Sequence, residues 1–91
     1  MTMFKIDELA GSLVKQGRFK DALPVIGEEL RRAIAHQVIT NMEYFGPNGI
    51  MVRLGNILLN PADAEAVEKL GNDLIYIAIR IPDYVKKVDQ R

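Results

Sequence analysis

Ninety-one residues suffice for one domain, because a division into two would leave each half too short to bury a core without disulfides or metal. The chain has no Cys and a single His, which excludes a disulfide framework, a thiolate metal site and a catalytic cysteine, and disfavours an all-protein zinc site; no cofactor is expected. Twelve Lys and Arg balance twelve Asp and Glu, evenly in both halves, so no net field draws nucleic acid or an anionic membrane, while 48% hydrophobic residues suit globular folding.

In chain order, Ile6, Leu9, Leu13 and Val14 share one helical face, and Gly17 supplies a stop, which predicts a first helix over residues 4–16. Asp7 and Glu8 stand where a signal peptide would carry its apolar core, so a cytoplasmic protein is expected. Asp21 offers an N-cap, and Pro24 falls in the first turn of a second helix. From Leu23 the apolar positions continue through Ile26, Leu30, Ile34, Val38, Met42 and Phe45 to the breaker Gly46-Pro47-Asn48-Gly49. Unbroken, this would be a rod of roughly 25 residues, about 37 Å long.

Ile50, Met51, Leu54, Ile57 and Leu58 fit a short helix, with a hairpin turned at Gly55-Asn56 as the alternative. Asn60 as cap and Pro61 at the first helical position then open a helix whose apolar face, Ala64, Val67, Leu70, Gly71, Leu74, Ile77, Ala78 and Ile81, runs to Pro82. Ile at every second position from Ile75 to Ile81 allows a strand over 74–81 instead, and with it an α+β fold. The helical period on both sides of Gly71 favours an all-α domain. Its frame is an antiparallel pair of long helices over 21–46 and 61–81, braced by a short N-terminal helix and a helical connector. Lys86 to Arg91 reads as a polar tail.

Leu9-Ala10-x-x-Leu13-Val14-x-x-Gly17-x-Phe19-x-x-Ala22 resembles the helix-turn-helix of a tetratricopeptide repeat over less than a third of the chain. The pattern is broken at Pro24 and at Glu29, where that family prefers a small residue, and no second copy follows. Solenoid repeats bury their faces against stacked neighbours, so the resemblance implies a helical hairpin and brings no peptide-binding function with it.

Catalytic chemistry is poorly supplied. His36 follows Arg32 by one turn, but Glu29 lies too far along the same flank to orient its ring, and Thr2, Ser12 and Thr40 are the only small hydroxyl residues. The adjacent acids Asp7-Glu8 and Glu28-Glu29 point apart on a helix and read as solvated. Lys15, Arg18 and Lys20 cluster at the first interhelical turn and Arg31-Arg32 project from the next helix. If these converge with His36, across an oligomer interface in particular, they would hold a small phosphorylated or nucleotide-like anion.

Excess apolar surface points elsewhere. Ile75 and Ile79 lie on the side opposite Leu74, Ile77 and Ile81, and Tyr44, Phe45, Ile50, Met51 and Val52 crowd around the breaker. A small domain buries only a limited share of its surface, so these residues, with Leu74, predict an interface. The reading is a non-enzymatic adaptor, inhibitor or assembly protein, of the accessory kind found in bacteria and phages, acting as a homo-oligomer and on another protein. An oligomeric binder of an anionic ligand is the alternative, and a nucleic-acid-associated regulator the third.

Overall fold

The close approach that organises the chain is made by two glycines. In the computed structural model, which describes residues 8–82, α1 (Ala10–Lys15) carries Gly11, and α5 (Ala64–Ile79) carries Gly71. A Cβ on Gly11 would run into the Gly71 carbonyl oxygen and come within 2.7 Å of the Ile75 backbone nitrogen. One on Gly71 would stand 2.8 Å from the Gly11 carbonyl oxygen and meet the Lys15 side chain. The two backbones touch because neither bears a side chain there, and α1 packs more extensively on α5 than any other pair of helices does on each other.

On its other side α1 meets α2 (Phe19–Ala35), while α3 (Asn41–Phe45) packs on α4 (Ile50–Leu59) and α4 on α5. One continuous core joins them. Leu9, Leu13 and Val14 meet Ile26 and Leu30 of α2, Ile50, Leu54 and Ile57 of α4, and Leu70, Leu74 and Ile77 of α5. All regular structure among the described residues is helical, so the all-α fold class holds and 74–81 is not a strand. None of these helices is long and apolar enough to cross a membrane.

The helix ends follow local chemistry. At the end of α1, Gly17 adopts φ 77°, while the Arg18 and Gly17 N–H groups donate to the Leu13 and Val14 carbonyls at 2.9 and 3.0 Å, a Schellman motif. The span 21–46 is not one rod. Gln37 takes the same left-handed turn at φ 61°, with Val38 and Gln37 N–H donating to the Ala33 and Ile34 carbonyls, and buried Ile39 leads into a new start. There the Thr40 hydroxyl accepts from Glu43 N–H at 3.1 Å while the Glu43 carboxylate accepts from Thr40 N–H at 2.7 Å, a capping box that opens α3. Apolar spacing persists across this break because Val38 and Ile39 still turn partly or wholly inward.

Two further starts differ from expectation. Asn60-Pro61-Ala62 forms a turn closed by Asp63 N–H on the Asn60 carbonyl, and Asp63, not Asn60, caps α5 by accepting from Ala66 N–H. Helix α2 begins at Phe19, which leaves Pro24 inside the second turn. The first helix, expected over 4–16, begins only at Ala10, because Leu9 is extended at ψ 151° as its N-cap; residues 4–7 of that expectation and the tail 86–91 lie outside the described residues.

Glu29 also departs from its solvated reading. It is 1% exposed on α2, and its Oε2 accepts from Ala10 N–H at 3.1 Å, which caps α1 where Leu9 has no side-chain acceptor to offer. Replacing the acceptor orphans a buried N–H. Glu29→Ala should therefore lose about 1–3 kcal/mol of stability in urea unfolding.

The glycine crossing predicts opposite signs for one substitution. Gly11→Ala or Gly71→Ala forces two backbones apart and should lower the melting temperature by at least about 5 °C. Gly27→Ala, where nothing stands within 4 Å of the new methyl, should gain about 0.4–1 kcal/mol by calorimetry.

Candidate functional site

The basic residues grouped by the sequence do not converge within the chain. Arg18 and Arg31 lie thirteen residues apart along α2, about 20 Å at 1.5 Å per residue. Lys15 serves the glycine crossing instead, its stem lying over Gly71 and its Nζ donating to Asn72 Oδ1 at 2.8 Å, with Glu68 at 3.8 Å. Arg18 pairs with Asp21 at 2.9 Å. Arg31 and Arg32 each reach one oxygen of Glu28 at 2.7 Å, so the acid beside them already meets the charge an anion would have met. Lys20 is exposed, and exposed His36 is the C-cap residue of α2. The described residues bring together no group of three or more His, Cys, Asp or Glu suited to a metal ion.

Hydrogen bonds from Arg32 and then Arg31 hold the Glu28 carboxyl below its usual pKa. A group whose pKa is depressed on folding contributes stability that is complete above its unfolded pKa and is lost as pH falls through the folded one. An NMR titration of the Glu28 carboxyl carbon should therefore show a midpoint below the usual carboxylate range, and Arg32→Gln should move it upward.

The residues expected at an interface divide. Leu74 and Ile50 are buried in the core and cannot present a surface. Tyr44 is half-buried against the core, with its ring 4.1 Å from that of Phe45, and Ile75 is half-buried where it covers Gly11. Phe45, Met51 and Ile79 are exposed, Phe45 by 64%. The largest exposed group lies on α4, where Met51, Val52, Leu58 and Leu59 all face solvent, Leu59 by 87%; the sequence reading named Met51 and Val52 and passed over Leu58 and Leu59.

At about 100° per residue, Leu58, Met51, Gly55, Leu59 and Val52 follow one another around an arc of roughly 120°, opposite buried Ile50, Leu54 and Ile57. Gly55 stands near the centre of that arc with nothing within 4 Å of where a Cβ would be. The arc is free of charge. The helix's single charged residue, Arg53, lies on the far flank and pairs with Asp73 at 2.7 Å. Ten residues with only Arg53 and Asn56 polar were the available signal for a helix apolar on both sides.

On the Arg53 flank, a cleft with a cavity volume of about 270 Å³ opens between the α3–α4 corner and α5. Its apolar lining comes from Ile39, Ile50 and Ile77, of which all three are buried. Its polar lining includes the Arg53–Asp73 pair and, at the end of α5, Tyr76 with the Arg80 guanidinium 5.3 Å from its ring centroid. Glu43, also on the cleft, is engaged by Thr40 N–H.

Comparison of the chain with protein-family models, with curated proteins and with solved structures finds no match.

Proposed function

We propose that this protein works by protein–protein contact and not by catalysis, as a small helical assembly or adaptor protein that pairs with a second copy of itself through the outer face of α4. The observation that carries this reading is the uncharged arc of Met51, Val52, Leu58 and Leu59 around an open Gly55. Left in water, such a face exposes contiguous apolar surface that soluble monomers seldom carry. A mid-helix glycine costs about 1 kcal/mol relative to alanine, and here no described residue stands within 4 Å of the Cβ position to require it.

A second copy supplies what the chain lacks. Two α4 helices crossing at Gly55 in antiparallel sense place Leu58 and Leu59 of each against Met51 and Val52 of the other, the reciprocal contact that a two-fold axis demands. No charge on the arc needs to be desolvated, and zero net charge leaves no repulsion between copies. The face spans about 12 Å of helix, which places the pair with small, reversible interfaces. The lack of cysteine supports a cytoplasmic setting.

Sedimentation velocity over a concentration series tests the pairing. The wild type should pass from monomer to dimer in the micromolar range, and Leu59→Glu, at an exposed position, should stay monomeric with an unchanged circular dichroism spectrum. Gly55→Ala should raise the melting temperature of the dilute monomer yet weaken the dimer. A wild type that remains monomeric at every concentration would overturn the proposal.

A further inference from the structure

The chain contains no Cys and no Trp, so its four methionine thioethers are the side chains most open to two-electron oxidation. Two of them fall among the described residues and both reach solvent, Met42 on α3 by 69% and Met51 on α4 by 41%. Their surroundings differ. Met42 has its sulfur beside Gly46 at the end of α3 and is not part of the α4 arc. Met51 stands on that arc one turn before Gly55, in the uncharged face it shares with Val52, Leu58 and Leu59. In the antiparallel pairing it meets Leu58 and Leu59 of the second copy, whose side chains have no hydrogen bond to give.

We infer that Met51 is a modification site at which a peroxide separates the paired copies, an inference that rests on the α4 pairing proposed above. The thioether sulfur attacks one peroxide oxygen, the S–O bond forms as the O–O bond breaks, and the departing hydroxide takes the proton of the transferred oxygen and leaves as water. Sulfur is oxidised to the sulfoxide and the peroxide is reduced. On a free copy, water solvates the sulfoxide oxygen; pairing would strip that water and put leucine in its place. Met51 lies opposite the buried residues Ile50, Leu54 and Ile57, so the cost falls on the contact and not on the fold. Two-fold symmetry brings Met51 to the contact twice. The converse also holds: pairing covers the sulfur, so the free copy is the form that reacts. Methionine sulfoxide reductases, one for each sulfoxide epimer, reverse the step by oxidising two thiols to a disulfide and releasing water.

The test treats the full chain with dilute hydrogen peroxide, locates oxygen uptake at each methionine by peptide mass spectrometry, and follows pairing by sedimentation velocity. Raising the protein concentration through the dimerisation range should slow oxidation of Met51 several-fold and leave the rate at Met42 unchanged. Once Met51 carries the oxygen, the dimer dissociation constant should rise by at least about tenfold with an unchanged circular dichroism spectrum. The two sulfoxide reductases with dithiothreitol should return it to its starting value. Met42→Leu should respond to peroxide as the wild type does, whereas the dissociation constant of Met51→Leu should be the same before and after treatment. The untreated wild type separates the two readings. A chain that never pairs overturns the α4 pairing and this proposal with it, while a chain that pairs as tightly after Met51 is oxidised overturns this proposal alone. Loss of pairing in peroxide-treated Met51→Leu, or loss that follows oxidation of Met42 instead, would do the same.

Discussion

Contact between the backbones of Gly11 and Gly71 sets the spacing of the whole domain. Once α1 lies directly on α5, Ile75 can cover Gly11 and the Lys15 stem can cross Gly71 to reach Asn72. The same approach lets Leu9, Leu13 and Val14 reach a core shared with α2 and α5. At an ordinary helix separation of 8–10 Å these short-range contacts would open together.

Polar groups reinforce this arrangement from the other side of α1. Glu28 and Glu29 are neighbours in sequence and opposites in role. Glu28 faces out to Arg31 and Arg32, whereas Glu29 turns inward to the first N–H of α1. A carboxylate at a helix N-terminus also meets the favourable end of the helix dipole. The small helix is thus fixed by backbone contact on one face and by a buried acceptor on the other.

Much of the fold was legible because it depends on local chemistry. The Gly17 stop, the Gly46-Pro47-Asn48-Gly49 breaker and the helical periods of α4 and α5 act over a few residues, and each appears where its sequence places it. The break at residues 36–40 was readable from Thr40-x-x-Glu43, but uninterrupted apolar spacing concealed it. Gly11, Glu29 and Ile75 were not readable in their roles, since what decides each one lies 19 residues or more away in the chain. The same holds for the cleft, where Arg53 and Arg80 come together with Ile39 only through packing. Of the residues expected at an interface, Phe45, Met51 and Ile79 are exposed while Ile50 and Leu74 are buried, because helix apolarity alone does not say which side faces the core.

Helix α1 has six residues, well below the length at which an isolated helix persists in water. Its order is borrowed from α2, through Glu29, and from α5, through Gly71. These two supports come from helices that lie far apart in the chain, α2 and α5, so α1 acts as the keystone that couples them: local opening of either long helix withdraws a support that α1 cannot replace. Cooperativity of unfolding in this domain therefore resides in its short N-terminal helix, and the slowest-exchanging amides of α1 report the integrity of the whole assembly of helices.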